Sequence, residues 1–244
     1  MTIDAKGVYY RQLNEQIRAA IAGGETEIVL DNVNGQRYIG DGVQGKAKIT
    51  INGVPGNDLA AFMDGPTLVV NGNAQDGVAN TMNEGKIVVN GNAGDVLGYG
   101  MRGGKLYIKG DVGYRVGIHM KGYKENMPVV IAGGTAGDFF GEYMAGGVLV
   151  LLGMGREEGA PLVGDYLGTG MHGGSIYIRG EVDIRNCGAE VGILDLDDKD
   201  MKELSGYVRE FCEDTGHDFD EVMSGKFIKL YPKSSRPYGR LYAY

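Results

Sequence analysis

The chain has 244 residues and a formal net charge of −8, with no stripe of Lys and Arg that could neutralise phosphates, so nucleic acid is excluded as a partner class. It contains no run of 18 apolar residues, and residues 1–11 lack the charged-then-apolar pattern of a secretory leader. Cys187 and Cys212 are isolated from each other, which is typical of a reducing compartment. We therefore expect a cytoplasmic protein that contacts no membrane.

The first predicted element is an N-terminal helix. Four apolar residues recur at helical spacing, and Gly23-Gly24 follows at the position of a C-cap. The apolar residues are Leu13, Ile17, Ala20 and Ile21. We assign residues 1–26 to a helical cap, because the end of a stack of strands exposes backbone groups that must be covered.

A period of 19 residues then dominates residues 27–182. Each period contains a short apolar strand, a glycine corner and a methionine, and insertions fall within residues 121–128 and 154–162. The recurring residues are Met63, Met82, Met101, Met120, Met144 and Met171, and Gly72, Gly91, Gly110, Gly134, Gly153 and Gly180. Nineteen residues are too few for a repeat of two helices, and 44 glycines favour tight corners. The pattern predicts an all-β fold, a single-stranded right-handed parallel β-helix of about seven to eight turns with short flanking helices as caps.

The alignment of the repeats also predicts where side chains lie. The methionines should stack inside the coil as flexible core filler rather than as a soft-metal site. Asn52, Asn71 and Asn90 should form a ladder of side-chain amides. A second weak strand is predicted in each repeat, for example at Asp95–Gly98.

One column of acidic residues also recurs with the period. Asp76, Asp95, Asp138 and Asp165 align with one another and define an acidic outer face. Such a face could bind a cation or a sugar, but a polar turn that faces solvent accounts for the same column.

The last segment, residues 183–244, is predicted to hold a helix and an extended tail. Asp197 or Asp198 can cap that helix, and Lys226–Tyr231 is a strand candidate. The apolar face of the helix consists of Met201, Leu204, Val208 and Phe211. The tail is aromatic and basic, and its candidate docking residues are Arg236, Tyr238, Arg240 and Tyr242.

No catalytic, metal-binding or cofactor-binding residues are predicted on this chain. His119 and His172 flank the methionine column on opposite sides, so they should not converge on a metal ion. The acidic cluster at residues 195–200 lacks the spacing of a calcium-binding loop. Gly91–Gly94 and Gly110–Gly113 look like fragments of dinucleotide-binding loops but are not followed by the helix that would bind the pyrophosphate.

The repeat unit itself resembles a known family. Gly91–Gly104 and Gly134–Gly147 read G-x-A-G-x-x-Φ-G-x-x-M-x-G-G, where Φ is a large apolar residue. This unit is similar to the GXGXG domain, the C-terminal β-helix of the large subunit of glutamate synthase, and related coils occur as one of the subunits of formylmethanofuran dehydrogenase. The blocks at 3–14, 34–40 and 236–239 resemble the stand-alone version from glutamate synthase, and the resemblance covers nearly the whole chain.

The resemblance implies a part in converting glutamine and 2-oxoglutarate to two glutamates. In that family the β-helix carries neither the cysteine nucleophile nor ligands for FMN and the iron–sulfur cluster, so those groups are expected on partner polypeptides. Two cysteines are indeed too few to ligate a cluster. The implied role is a non-catalytic structural subunit that braces the amidotransferase against the flavin-containing synthase core. A scaffold subunit of formylmethanofuran dehydrogenase, an independent carbohydrate- or cation-binding β-helix, and a homo-oligomer joined through the coil ends stay open as alternatives.

Overall fold

A computed structural model describes residues 1–235 and contains a single sheet of 11 strands. The strands are β1 (Thr2–Asp4), β2 (Glu27–Asn34), β3 (Lys48–Val54), β4 (Asp64–Asn71), β5 (Glu84–Val89), β6 (Lys105–Ile108), β7 (Val129–Ala132), β8 (Ala145–Leu151), β9 (Gly173–Arg179), β10 (Val191–Asp195) and β11 (Phe227–Pro232). The helices are α1 (Tyr10–Ala22), α2 (Asp198–Thr215) and α3 (Phe219–Met223), with a 3-10 turn at Ile184–Asn186. The order in the sheet is β1-β2-β3-β4-β5-β6-β7-β8-β9-β11-β10.

Strands β1 to β9 pair in parallel and in sequence order, as successive turns of one coil require. The register follows the period: Leu68 pairs with Ile87, and Ile87 pairs with Leu106. The predicted class, a parallel β-solenoid, is therefore confirmed. The coil has about six turns, slightly fewer than predicted.

After each of the strands β2 to β8 the chain returns to the next strand through a segment in which every second residue has a positive φ. In one turn these residues are Val96, Gly98 and Gly100, with φ of 60°, 65° and 56°. The Val96 and Gly100 amides donate to the following turn, whereas the Gly98 amide donates to the carbonyl oxygen of Val78 in the preceding turn. The predicted second strand at 95–98 is thus wrong: this stretch bonds to both neighbouring turns in a left-handed turn conformation, not as an extended chain. We call these stretches the left-handed segments.

The interior of the coil is apolar from end to end. All six repeat methionines are fully buried, together with the inward-facing aliphatic residues of the strands. Helix α1 covers the first end of this interior with Leu13 and Ile17. The other end is closed by antiparallel strand β11, whose Ile228 and Leu230 join the same cluster.

Helix α2 is not an end cap, contrary to the prediction for the C-terminal helix. It lies on the outer face of the sheet, where Leu204, Val208 and Phe211 pack against outward-facing strand residues such as Tyr107 and Val150. The outward-facing residues of β5 to β9 are themselves apolar, so they need a cover that an end cap would not supply. Met201, predicted on the buried face of the helix, is 41% exposed.

Candidate functional site

The acidic column predicted as an outer face forms a ladder of hydrogen bonds between turns. The backbone amides of Asp95 and Tyr114 donate to Oδ1 of Asp76 and Asp95, respectively, each over 2.9 Å. Further along, the Asp165 amide donates to Oδ1 of Asp138, also over 2.9 Å. One oxygen of each accepting carboxylate is therefore committed to the backbone of the next turn. These hydrogen bonds between turns explain why aspartate recurs in the column, and no bound cation or sugar is needed to explain it.

The same ladder explains why glycine recurs beside it. A Cβ added at Gly94 would overlap Oδ1 of Asp76, and one added at Gly164 would overlap Oδ1 of Asp138. A parallel ladder at the preceding corner joins Asn92 to the backbone amide of residue 111 over 2.9 Å, and there the excluded Cβ is that of Gly110. The repeated glycines thus leave room for a side chain that reaches across from the previous turn.

The predicted asparagine ladder is present. The side-chain Nδ2 of Asn71 donates to Oδ1 of Asn52 over 2.8 Å, and Nδ2 of Asn90 donates to Oδ1 of Asn71 over 3.3 Å. Asp31 extends the ladder by accepting from Asn52 over 2.7 Å. These contacts join successive turns and offer no convergent set of groups for chemistry.

The left-handed segments of the later turns carry stacked aromatic rings. Phe139 and Tyr166 stack with ring centroids 4.8 Å apart and an interplanar angle of 10°. His119 and Tyr143 stack at 5.4 Å and 9°, and Tyr99 meets His119 edge-on at 5.8 Å. These side chains come from four successive turns, because the turns bring residues of equivalent position into register.

A single arginine is packed among these rings. The Arg115 guanidinium lies 4.6 Å from the centroid of the Phe139 ring and pairs with buried Glu142 over 2.8 Å. We define the aromatic edge as the following residues: Tyr99, Arg115, His119, Phe139, Tyr143 and Tyr166. The edge is solvent-accessible, since Tyr99 and Tyr166 are 40% and 56% exposed.

Charged groups border the aromatic edge on both sides. The acidic ladder directly precedes the left-handed segments, with Asp138 before Phe139 and Asp165 before Tyr166. Arg102 and Lys121 follow the segments, each directly after a buried methionine. Both of these basic side chains are exposed, and neither forms an ion pair with another residue in the range 1–235. Sequence reasoning missed the edge, since the positions of its rings vary between turns: the position of Phe139 is Gly77 and Val96 in earlier turns.

A partly buried ionic cluster fixes α2 to the sheet. Lys86 Nζ lies 2.6 Å from Asp214 Oδ2 and 3.5 Å from Glu210 Oε1, and Lys105 also pairs with Glu210. Burial alone would raise the pKa of Glu210, but the ammonium groups of Lys105 and Lys86 lower it below the ordinary value. Every charge in the cluster has a partner of opposite sign. The cluster therefore holds the helix in place and leaves no group free for catalysis.

Two buried tyrosines lie under α2 and differ in their hydrogen bonds. Burial raises the pKa of both Tyr107 and Tyr177 well above the ordinary range. The Tyr177 hydroxyl donates to Asp200 Oδ1 over 3.0 Å, whereas the Tyr107 hydroxyl is buried without a hydrogen-bond partner. Neither hydroxyl can act on a substrate, because α2 covers both rings.

A groove of about 720 Å³ lies at the first end of the coil. Its lining includes Lys6, Tyr9, Tyr10 and Arg37. The Arg37 guanidinium lies 5.7 Å from the Tyr10 ring centroid, so this cation already has a partner in the wall of the groove. The groove contains no nucleophile with a neighbouring base.

The remaining predicted residues can now be placed. His119 belongs to the aromatic edge, and His172 Nδ1 lies 3.1 Å from the carbonyl oxygen of Gly170, so the two histidines do not converge. Within residues 1–235, no group of three or more His, Cys, Asp or Glu side chains could hold a metal ion. The docking candidates of the tail, residues 236–242, lie outside the described residues.

The fold and the ladders define a class of protein, a glycine-cornered parallel β-solenoid, and comparison with known sequences assigns the family. Residues 12–234 match the family described as "GXGXG motif". The chain belongs to this GXGXG family, whose domain is found in glutamate synthase-like proteins. An uncharacterized protein of Methanocaldococcus jannaschii is 46% identical over 254 residues, which cover 99% of this chain and 96% of the relative. No helix in residues 1–235 has the length and apolar character needed to cross a membrane.

Proposed function

We propose that this chain is a non-catalytic structural subunit of a glutamate synthase. The observation that carries the proposal is the family match, which spans residues 12–234. The described residues add support, because the recurring aspartates of the acidic column accept hydrogen bonds between turns and the ionic cluster under α2 fixes that helix to the sheet. An interface is then the function that such a chain can supply.

In this proposal the chain braces an amidotransferase polypeptide against a flavin-containing synthase polypeptide. Glutamine hydrolysis at the first would release ammonia. At the second, ammonia would condense with 2-oxoglutarate with loss of water, and the resulting imine would be reduced to glutamate by two electrons that an external reductant delivers through the flavin. FMN and the iron–sulfur cluster would be held by the partner polypeptides. A coil with a continuous apolar interior and hydrogen bonds between all its turns is stiff along its axis, so it is suited to fix a separation between two partners.

The proposal is tested by purifying the tagged chain from its native cells under mild conditions. The expected eluate contains a flavoprotein, detected by its absorbance, and an amidotransferase. Supplied with a chemical reductant as electron donor, it forms two glutamates from glutamine and 2-oxoglutarate. Recovery of a complex without glutamine-dependent glutamate formation would contradict the proposal. Recovery with a pterin–metal enzyme would instead assign the chain as a scaffold of formylmethanofuran dehydrogenase.

A further inference from the structure

The aromatic edge holds large side chains in a conformation that favours glycine. Arg115, His119, Phe139, Tyr143 and Tyr166 have φ between 49° and 62°. A left-handed backbone costs a residue with a Cβ about 1–2 kcal/mol. The equivalent positions are glycine in some turns, at residues 77, 100 and 170, and are Val96 and Thr81 in two others. The coil therefore closes there without a side chain, and its geometry does not require the rings.

Stacking gives only a partial return for this strain. An aromatic pair contributes about 0.5–1.5 kcal/mol beyond its buried area, which is similar to the backbone cost of one residue of the pair. Part of the apolar surface also stays in water. Of the 11 large hydrophobic side chains exposed within residues 1–235, four lie in or directly beside left-handed segments. These four are Phe62, Tyr99, Tyr114 and Tyr166. The stability of the isolated chain accounts poorly for this concentration.

The charges at the two borders define what could cover the edge. On one side the ladder holds the carboxylate of Asp138 by Oδ1, and the exposed Asp165 lies one turn further along. On the other side Arg102 and Lys121 are exposed and make no ion pair with a described residue. A complementary surface would be apolar in its centre, basic opposite the aspartates and acidic opposite Arg102 and Lys121. Aromatic side chains and arginine are also the residues most enriched at protein interfaces.

We propose that the aromatic edge is the surface by which this chain docks on a partner polypeptide of its complex, one with an apolar patch between a basic and an acidic border. The inference rests on the proposed function and adds to it the location of the contact. The strained rings are then held ready for the partner before binding, which lowers the entropy cost of ordering them in the interface.

The test uses the complex reconstituted from this chain and the co-purified amidotransferase and flavin polypeptides. The double variant Phe139→Gly/Tyr143→Gly removes two rings but keeps a backbone that glycine adopts in other turns. We expect it to bind the partners at least tenfold more weakly than the wild-type chain. The matched control is Met201→Ala, which removes an exposed apolar side chain from α2 and should bind as the wild type does. Arg102→Glu/Lys121→Glu should also weaken binding, and its deficit should shrink at high salt.

The outcomes separate the two proposals. If the wild-type chain binds neither polypeptide, the proposed function is wrong, and so is the docking surface that rests on it. If the wild-type chain assembles with the partners and both double variants bind them as tightly as the wild type does, only the proposed docking surface is wrong. If sedimentation shows that the wild-type chain is a dimer and the variants are monomers, the edge binds a second copy of this chain. That result would overturn the proposal of a different partner polypeptide.

Folding of the variants is checked separately by thermal unfolding. If a variant fails to fold, hydrogen exchange on the wild-type complex decides the question. Protection of the amides at 96–102 and 139–143 on partner binding is expected, and protection confined to other turns would overturn the docking surface.

Discussion

Replacing Gly94 by alanine tests whether the ladder explains the repeated glycines. Oδ1 of Asp76 would overlap the new Cβ, while the nearest backbone atom, the nitrogen of Asp76, is 3.3 Å from it. The carboxylate must therefore move away and lose its 2.9 Å bond from the Asp95 amide. A hydrogen bond to a charged group contributes about 1.5–3 kcal/mol, and forced repacking adds about 1–3 kcal/mol. We expect Gly94→Ala to lower the free energy of unfolding by about 3–5 kcal/mol in urea titrations.

The double variant Asp76→Ala/Gly94→Ala isolates the cause. Removing the carboxylate costs the hydrogen bond but also removes the overlap, so the double variant should be close to Asp76→Ala alone, with a coupling of about 1–3 kcal/mol. Gly206→Ala is the control, because a Cβ there meets no atom within 4 Å on helix α2, and it should stabilise by up to about 1 kcal/mol. A Gly94→Ala variant as stable as the wild type, or two losses that simply add, would refute the reasoning.

Three further variants probe the contact between α2 and the sheet. Tyr107→Phe removes a buried hydroxyl that has no hydrogen-bond partner, so the free energy of unfolding should stay unchanged or rise slightly. Tyr177→Phe removes a hydrogen bond to Asp200 and should lower the free energy of unfolding by about 1 kcal/mol. Equal losses for the two variants in urea titrations would contradict this. Burial raises the pKa of Glu210 in the folded state, but Lys105 and Lys86 together lower it by more. The ion pair therefore stabilises the fold at pH values above the unfolded pKa of about 4.3, and this stabilisation is lost as the pH falls through the folded-state pKa. Glu210→Gln should therefore lose less stability than the wild type between about pH 6 and pH 3, and identical pH profiles would show that the pair contributes nothing.

The period of the methionines predicted much of the fold because a coil of strands must repeat its inward side chains. Met82 and Met101 are buried one turn apart, and the strands pair in the register that the spacing implies. The asparagine ladder was predictable for the same reason, since Asn52 and Asn71 occupy equivalent positions. Periodicity, however, reports position and not backbone conformation. A stretch such as Asp95–Gly98 therefore looked like a weak strand, although every second residue in it has a positive φ.

The location of α2 and the aromatic edge could not be read from the repeat. Val150 and Tyr177 are apolar on the outward side of their strands, but a repeat pattern does not say which later segment covers that side. The aspartates were identified as a column, yet their role depends on a bond to the next turn that only three-dimensional register provides. The rings at Phe139 and Tyr166 occupy a position that is Gly77 and Val96 in earlier turns, so the repeat pattern did not predict them.

A solenoid that acts as a brace should set distances in fixed steps, because each turn adds one strand spacing of about 4.8 Å. Deleting residues 58–76, one full period, rejoins Asn57 to Gly77 in the same register, removes β4 and keeps Lys86, which holds α2. The shortened chain should still fold and still associate through the aromatic edge. Glutamate formation from glutamine should then fall, while formation from added ammonia continues, because only transfer between the two partners depends on their separation. Equal loss of both activities would show that the coil supports the synthase itself, and no loss of either would show that its length is irrelevant.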